Sequence, residues 1–231
     1  IKMQTMSTQN SRLTSREKIA IITGASGNLG QAITRKFISE GFFVIGTVLP
    51  NDPFVPNYQR DSFEIVAVDL INEDDSRAFV ESVVSKYGHL DVAVLTVGGF
   101  AAGKISETAT RDIANQYKLN FETAYNIARP SFVQMVNQNS GRIFIIGSRP
   151  GLDAKSGKGM VAYGLAKSLV FRLAELLNDE AKGRNVVTSM IVPSTIDTET
   201  NRKGIPQGDF DSWVKTEQIA DIIFYYSSEA A

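Results

Sequence analysis

The sequence has no cysteine and a single histidine, His89. The first absence excludes disulfides, thiol nucleophiles and zinc–thiolate sites. The second excludes a metal site built from several imidazoles. No apolar run approaches the ~20 residues that span a bilayer. Ile1 to Arg16 are polar and lack the apolar stretch of a secretion signal. They are expected to form a flexible tail, part of it added to the natural chain, and the protein is expected to be cytoplasmic. An excess of charge is missing too: 24 Lys and Arg stand against 25 Asp and Glu. That balance argues against nucleic acid, which selects a basic face. What is present is 231 residues at 43% hydrophobic, enough for one large domain or two small ones. A chain this long buries about 70% of its unfolded surface and needs no staples.

From Lys18 onward, short apolar runs alternate with segments of helical period. Strands are expected at Lys18–Thr23, Phe42–Val48, Glu64–Asp69, Asp91–Val97, Gly141–Gly147 and Asn185–Val192. Between them, Leu29, Ile33, Phe37 and Ile38 mark one helix, and Phe79, Val80, Val83, Val84 and Tyr87 a second. The acids Glu73, Asp74 and Asp75 sit in the first turn of that second helix, where the dipole suits them. A long helix is expected from about Arg111 to Val136, kinked or broken at Pro130. Leu169, Val170, Leu173, Leu176 and Leu177 mark another amphipathic helix, and Glu217–Ser227 the last. Strand–helix alternation with apolar strands predicts an α/β fold, a parallel doubly wound sheet with helices on both faces. Ligands of such sheets bind beyond the carboxyl ends of the strands.

Directly after the first strand comes Thr23-Gly24-Ala25-Ser26-Gly27-Asn28-Leu29-Gly30, opening a helix. Small residues there let the backbone approach a pyrophosphate, and the helix N-terminus offers free N–H donors. Gly151 to Lys158 only approximates a phosphate loop of the G-x-x-x-x-G-K-[ST] type and has no strand directly before it. Tyr163 and Lys167 stand four residues apart at a helix start, on one face. A nearby ammonium lowers the pKa of a phenol, so the pair could exchange a proton with a substrate hydroxyl or carbonyl. His89 lies in a turn into the fourth strand, at the end opposite this site, and is expected to be a surface loop residue. With no other histidine and no G-x-S-x-G elbow, a Ser-His-Asp hydrolase is disfavoured.

These residues, in this order, resemble the short-chain dehydrogenase/reductase family over nearly the whole chain after Lys18. Thr23 to Gly30 resembles the family's T-G-x-x-x-G-x-G turn, with Asn28 in place of the middle glycine; asparagine also tolerates a left-handed backbone. Asp69 and Leu70 match the acid after the third strand that meets adenine. Thr96-Val97-Gly98-Gly99 stands where the family has Asn-Asn-Ala-Gly. Asn120 matches the helix asparagine that links the lysine to a water chain. Ser148, Tyr163 and Lys167 match the catalytic residues, and Pro193 to Thr198 the P-G-x-x-x-T segment. The last fifth of the chain is similar to the dihydropteridine reductase branch. That branch generally lacks the serine, so Ser148 favours a general carbonyl/alcohol oxidoreductase.

The resemblance implies a single NAD(P)-binding Rossmann domain over residues 17–231. Its expected strand order is 3-2-1-4-5-6, without the family's usual seventh strand. It implies Tyr163 as general acid/base, Lys167 as its electrostatic partner, Ser148 on the substrate oxygen and Asn120 in proton relay. The cofactor would be held by Gly24, Ser26, Asn28, Leu29 and Gly30, by Asp69 and Leu70, and by Val97, Gly98 and Gly99. Tyr163 and Lys167 would contribute, as would Pro193, Thr195, Ile196 and Thr198. No metal is expected. NADP and NAD both remain open, because no acid stands clearly at the end of the second strand and no base attracts a 2′-phosphate; Asp52 reads as too far along. The expected partners are a small carbonyl or alcohol substrate and further copies of the chain, as a homodimer or homotetramer, with no nucleic acid and no membrane. Simpler readings stand beside these: Ser148 as a turn residue, Asn120 and Asp69 as caps, Tyr163 as packing, Thr198 as a helix start. The substrate pocket is expected from Phe100–Lys104, Arg149–Met160 and the segment after Thr198. The rivals to an oxidoreductase are a dihydropteridine reductase-like activity, a non-catalytic NAD(P)-sensing protein on the same scaffold, and a nucleotide kinase.

Overall fold

Apolar side chains at both parities of β1 (Lys18–Ile22) require cover on two faces: Ile19 and Ile21 point into one core, Ala20 and Ile22 into the other. The computed structural model describes residues 16–58 and 61–228. Five more strands follow β1: β2 (Phe42–Val48), β3 (Phe63–Ala67), β4 (Val92–Leu95), β5 (Ser140–Ile146) and β6 (Asn185–Ile191). They form one sheet in the order β3-β2-β1-β4-β5-β6, with every neighbouring pair parallel. This is the doubly wound arrangement and strand order expected from the sequence, and β6 is the last strand among the described residues.

The helices are α1 (Asn28–Ser39), α2 (Glu73–Tyr87), α3 (Thr110–Tyr117), α4 (Thr123–Gln138), α5 (Arg149–Leu152), α6 (Val161–Glu180), α7 (Glu199–Gly204) and α8 (Thr216–Ser227). Helices α1 and α8 cover one face, burying Ile33, Phe37, Ile219 and Ile223 against Ala20, Val44, Val92 and Phe144. Phe37 sits edge-on to both Phe42 and Phe224, with ring centroids 4.9 and 5.7 Å away. Helices α2, α4 and α6 cover the other face with Phe79, Val83, Ile127, Val170 and Leu173 against Ile21, Ala93, Ile143 and Ile145. Each fully buried aliphatic side chain contributes about 1.5–3 kcal/mol.

Three expectations need correction. The long helix is not broken at Pro130, which lies inside α4. Its irregularity is a π-helical turn, Lys118–Glu122, joining α3 to α4. His89 is buried, not a surface residue. Gly88 ends α2 in a left-handed conformation and turns the imidazole inward, where its two nitrogens face the carbonyl oxygens of Tyr87 at 2.8 Å and Glu17 at 2.9 Å. It still lies at the amino end of β4, away from the carboxyl ends of the strands. Leu169 and Leu176 are exposed on α6, while Val170, Leu173 and Leu177 are buried. The expected tail lies outside the described residues except for Arg16, whose guanidinium donates to Asp91 Oδ1 at 2.7 Å. Two of the three acids in α2's first turn are paired, Asp74 with Arg77 and Glu73 with Arg129, and Asn72 caps the helix by accepting from Asp74 and Asp75 N–H.

The turn after β1 depends on backbone touching backbone. Gly24 is left-handed at φ +63°, and a Cβ on Gly30 would stand 2.2 Å from the Gly24 carbonyl oxygen. Neither atom can give way. Gly30→Ala is therefore expected to lower stability by about 1–3 kcal/mol. Gly204→Ala, with nothing within 4 Å, should stay within about 0.5 kcal/mol of the parent. Urea unfolding of the two variants beside the parent measures the contrast.

Candidate active site

Two adjoining clefts open at the carboxyl ends of the strands and share Leu29, Thr96 and Gly98 in their walls. The first, about 400 Å³, receives the turn residues Gly24, Ser26, Asn28, Leu29 and Gly30. Asp69, Leu70, Val97, Gly98 and Thr198 complete the set of expected residues there. The second, about 670 Å³, receives Gly99, Asn120, Ser148, Tyr163 and Lys167, with Pro193, Thr195 and Ile196 along its rim. Every expected site residue thus lines one cleft or the other. A separate groove of about 430 Å³ between α2 and α4 contains none of them.

Each position has a local cause. Thr23 and Thr96 lock the ends of β1 and β4 together: Thr96 N–H donates to Thr23 Oγ1 at 3.0 Å and Thr96 Oγ1 to the Thr23 carbonyl at 2.6 Å. Asn28 is the first residue of α1, with no positive φ. The left-handed residue of the turn is Gly24, so Asn28 needs no special backbone, contrary to the reason given for its tolerance. Gly27, the residue before α1, has no side-chain cap, which leaves the first N–H groups of the helix facing the cleft. Thr198 does cap α7, its hydroxyl accepting from Asn201 N–H at 3.1 Å, and it lines the first cleft as well.

Asn120 lies in the π-helical turn, almost fully buried. Its Nδ2 donates to the Gly99 carbonyl at 2.9 Å and to Gln116 Oε1 at 3.0 Å, and its Oδ1 accepts from Gly99 N–H at 3.1 Å. The amide therefore clamps the chain leaving β4. The widened turn is the register change that lets the helix present it, as such turns often do at functional sites.

Ser148 ends the run after β5, and α5 folds back onto α6. A Cβ on Gly151 would come 2.5 Å from the Lys167 backbone, so only glycine permits that contact, and it brings Ser148 up to Tyr163. Phe100 packs edge-on against the Tyr163 ring, centroids 5.3 Å apart. Lys167 is buried, its Nζ donating to the Ile146 carbonyl at 2.8 Å and lying 5.9 Å from the Tyr163 ring centroid.

The electrostatics differ from the sequence expectation. Burial pushes the Tyr163 phenol above its ordinary value, and the Ser148 hydroxyl partly opposes that. Burial also lowers the Lys167 ammonium to about 8. Burial acts on both groups toward the neutral form, so the phenol is shifted away from ionisation.

Sequence reasoning missed Asp52. Leu49–Asp52 forms a tight turn, closed by Asp52 N–H to the Leu49 carbonyl at 3.0 Å, with Pro50 second and Asn51 third at φ +66°. The turn swings Asp52 back over the first cleft, where Oδ2 accepts from Ser26 Oγ at 2.7 Å and Oδ1 from Phe54 N–H at 2.9 Å. An acid therefore does stand beside the end of β2, and the expectation of its absence is overturned. Pro followed by Asn is the composition of a type II turn, the signal that could have found it. Of the expected substrate-side stretches, Phe100, Arg149, Pro150, Ser156, Met160, Asn201 and Ile205 line the second cleft.

A buried lysine costs stability while it is charged. Its folded pKa lies below the unfolded 10.5, so the unfolded state binds the proton more tightly. Stability then rises with pH between about 8 and 10.5. Lys167→Met removes a penalty of about 3 kcal/mol but orphans the Ile146 carbonyl, so a net gain of about 1–3 kcal/mol is expected at pH 7. Urea unfolding at neutral and alkaline pH should show the gain vanish as pH passes through that window.

The comparisons with known proteins agree with this geometry. The chain matches the short chain dehydrogenase family model over residues 18–207. It is 26% identical to the acetoacetyl-CoA reductase of Acinetobacter sp. (strain RA3849), over 78% of this chain and 74% of that one. It is 27% identical to the dihydropteridine reductase of Dictyostelium discoideum, over 92% of this chain and 89% of that one. Among solved structures, ElxO with NADP bound superposes with a TM-score of 0.80 at 23% identity, covering 92% of each chain. Over more than three quarters of its length, this chain belongs to the short-chain dehydrogenase family and is an NAD(P)-dependent oxidoreductase.

Proposed function

We propose that the protein transfers a hydride between a nicotinamide cofactor and a carbonyl or alcohol substrate, with Tyr163 moving the proton. The observation that carries this reading is the meeting of Ser148, Tyr163, Lys167 and Asn120 in one cleft, beside the glycine turn. The turn fits a dinucleotide. Its Gly24–Gly30 contact leaves no room for a Cβ, and the uncapped start of α1 offers N–H donors to a pyrophosphate. Gly24, Ser26 and Asn28 to Gly30 would hold the phosphates, Asp69 and Leu70 the adenine side, and Pro193, Thr195, Ile196 and Thr198 the nicotinamide side.

When bound, the nicotinamide supplies or accepts the hydride. Tyr163 Oη donates its proton to the carbonyl oxygen as that oxygen gains charge, and takes a proton back from the alcohol in the reverse direction. Ser148 Oγ donates a hydrogen bond to the same oxygen. The raised pKa of the phenol keeps its proton available for the donor role. Lys167, held by the Ile146 carbonyl, places a positive charge behind the phenol. Asn120 fixes the Gly98–Gly99 wall.

Asp52 favours NAD over NADP. Its carboxylate, held by Ser26 and the Phe54 N–H, can accept from ribose hydroxyls and repels a 2′-phosphate. No lysine or arginine lines that cleft among the described residues. Exposed Leu165, Leu169 and Leu176 on α6, with Val133 on α4, suit a homo-oligomer. The similarity to a dihydropteridine reductase places a quinonoid dihydropterin in the substrate panel beside simple ketones.

Two outcomes follow, both measured by steady-state NAD(P)H oxidation across that panel. Tyr163→Phe should lose at least about 100-fold in kcat while retaining NADH binding by fluorescence titration; near-full activity would remove Tyr163 from its role. The parent should prefer NADH by at least about tenfold in kcat/KM, one charge repulsion of roughly 1.4 kcal/mol, and Asp52→Ser should narrow that ratio. Tight cofactor binding with no turnover of any substrate would favour the sensing protein.

A further inference from the structure

Ten arginines lie within the described residues, and nine have a partner for the guanidinium. Arg16, Arg35, Arg77, Arg111, Arg129, Arg172 and Arg202 face carboxylates. Arg142 and Arg184 donate to backbone carbonyls. Arg149 alone makes no side-chain hydrogen bond or ion pair among the described residues. It follows Ser148 directly and lines the second cleft.

The nearest acid does not neutralise it. Asp153 feels the Arg149 charge, yet its two oxygens are engaged by Ser156, accepting from N–H at 2.8 Å and from Oγ at 2.9 Å. Among the described residues no carboxylate lines the second cleft, and its only charged side chains are Arg149 and the buried Lys167. The first cleft, in contrast, carries Asp52 and Asp69. The two halves of the site are therefore opposite in sign. Arg149 is exposed to the cleft, whose lining also includes Pro150, Met160 and Ile205.

Resting on the oxidoreductase reading above, we infer that Arg149 is a specificity residue that binds an anionic group on the substrate, carried within a few bonds of the reacting carbonyl. Ser148, on the carbonyl oxygen in that reading, and Arg149 are consecutive and line the same cleft, so both can reach one small molecule. The planar fork of a guanidinium matches a carboxylate or a phosphate. The favoured class is short oxo acids, with phosphorylated ketones sharing the same chemistry.

The test compares matched pairs: 3-oxobutanoate and 2-oxobutanoate against their methyl esters, and dihydroxyacetone phosphate against dihydroxyacetone. The parent should prefer the anion in at least one pair by about tenfold or more in kcat/KM, the scale of a charge-assisted hydrogen bond. The pair that shows the preference separates carboxylate from phosphate. In Arg149→Gln that ratio should fall to near one, mainly through KM. Arg149→Lys should recover part of it, and Arg111→Gln, a surface change outside the cleft, should leave it as in the parent. Equal rates for anion and neutral partner in every pair, or an unchanged ratio in Arg149→Gln, overturn the inference. If no compound is reduced, the oxidoreductase reading fails, and calorimetric titration of 3-hydroxybutanoate and glycerol 3-phosphate into the NAD-saturated protein decides the anion site. Binding of either by the parent and not by Arg149→Gln supports it; binding of neither, or equal binding by both proteins, overturns it.

Discussion

Parallel pairing of all six strands is the constraint from which the site follows. A parallel strand cannot be reached by a hairpin, so each connection crosses a face of the sheet, and both faces fill with helices. Every strand then finishes at the same edge. The glycine turn after β1, the Asp69 corner after β3, the Gly98–Gly99 wall after β4, Ser148 after β5 and the Pro193 segment after β6 converge without any special packing between them. What remains is fine adjustment, made by short polar contacts between neighbouring strand ends. Thr23 with Thr96, and Asn120 with Gly99, are the two best defined.

Burial sets the chemistry within that frame. Tyr163 and Lys167 stand one helical turn apart, and low polarity acts on both in the direction of neutrality. A phenol kept protonated and a lysine with a depressed pKa resist the ionisation expected from their spacing. The fold spends stability on this arrangement: a charged ammonium stays in the interior with one backbone carbonyl as its hydrogen-bond partner.

Much of the fold could be read directly, because the apolar runs that make buried parallel strands carry their own boundaries. Tyr163 and Lys167 were picked out by their spacing, and Ser148 and Asn120 by the family resemblance; all four line one cleft. What could not be read depended on contacts between distant segments. The π-helical turn exists where Asn120 bonds to Gly99, 21 residues away, whereas Pro130, the local signal for a break, is absorbed by the helix. His89 is buried because a carbonyl 72 residues earlier meets its ring. The direction of the Tyr163 shift reflects desolvation, which spacing does not encode. Asp52 was visible yet discounted, because distance along the chain was counted in place of the reversal that Pro50 and Asn51 impose.

That reversal has a consequence for how the protein can change. The side chain proposed to read the ribose is delivered by a four-residue bend outside the sheet, not by a strand position. Asn51 and Asp52 contribute nothing to either hydrophobic core. On the proposed role of Asp52, redox partner choice and structural integrity are encoded in separable parts of the gene. A lineage could exchange its cofactor by altering this bend, with no compensating change in the interior.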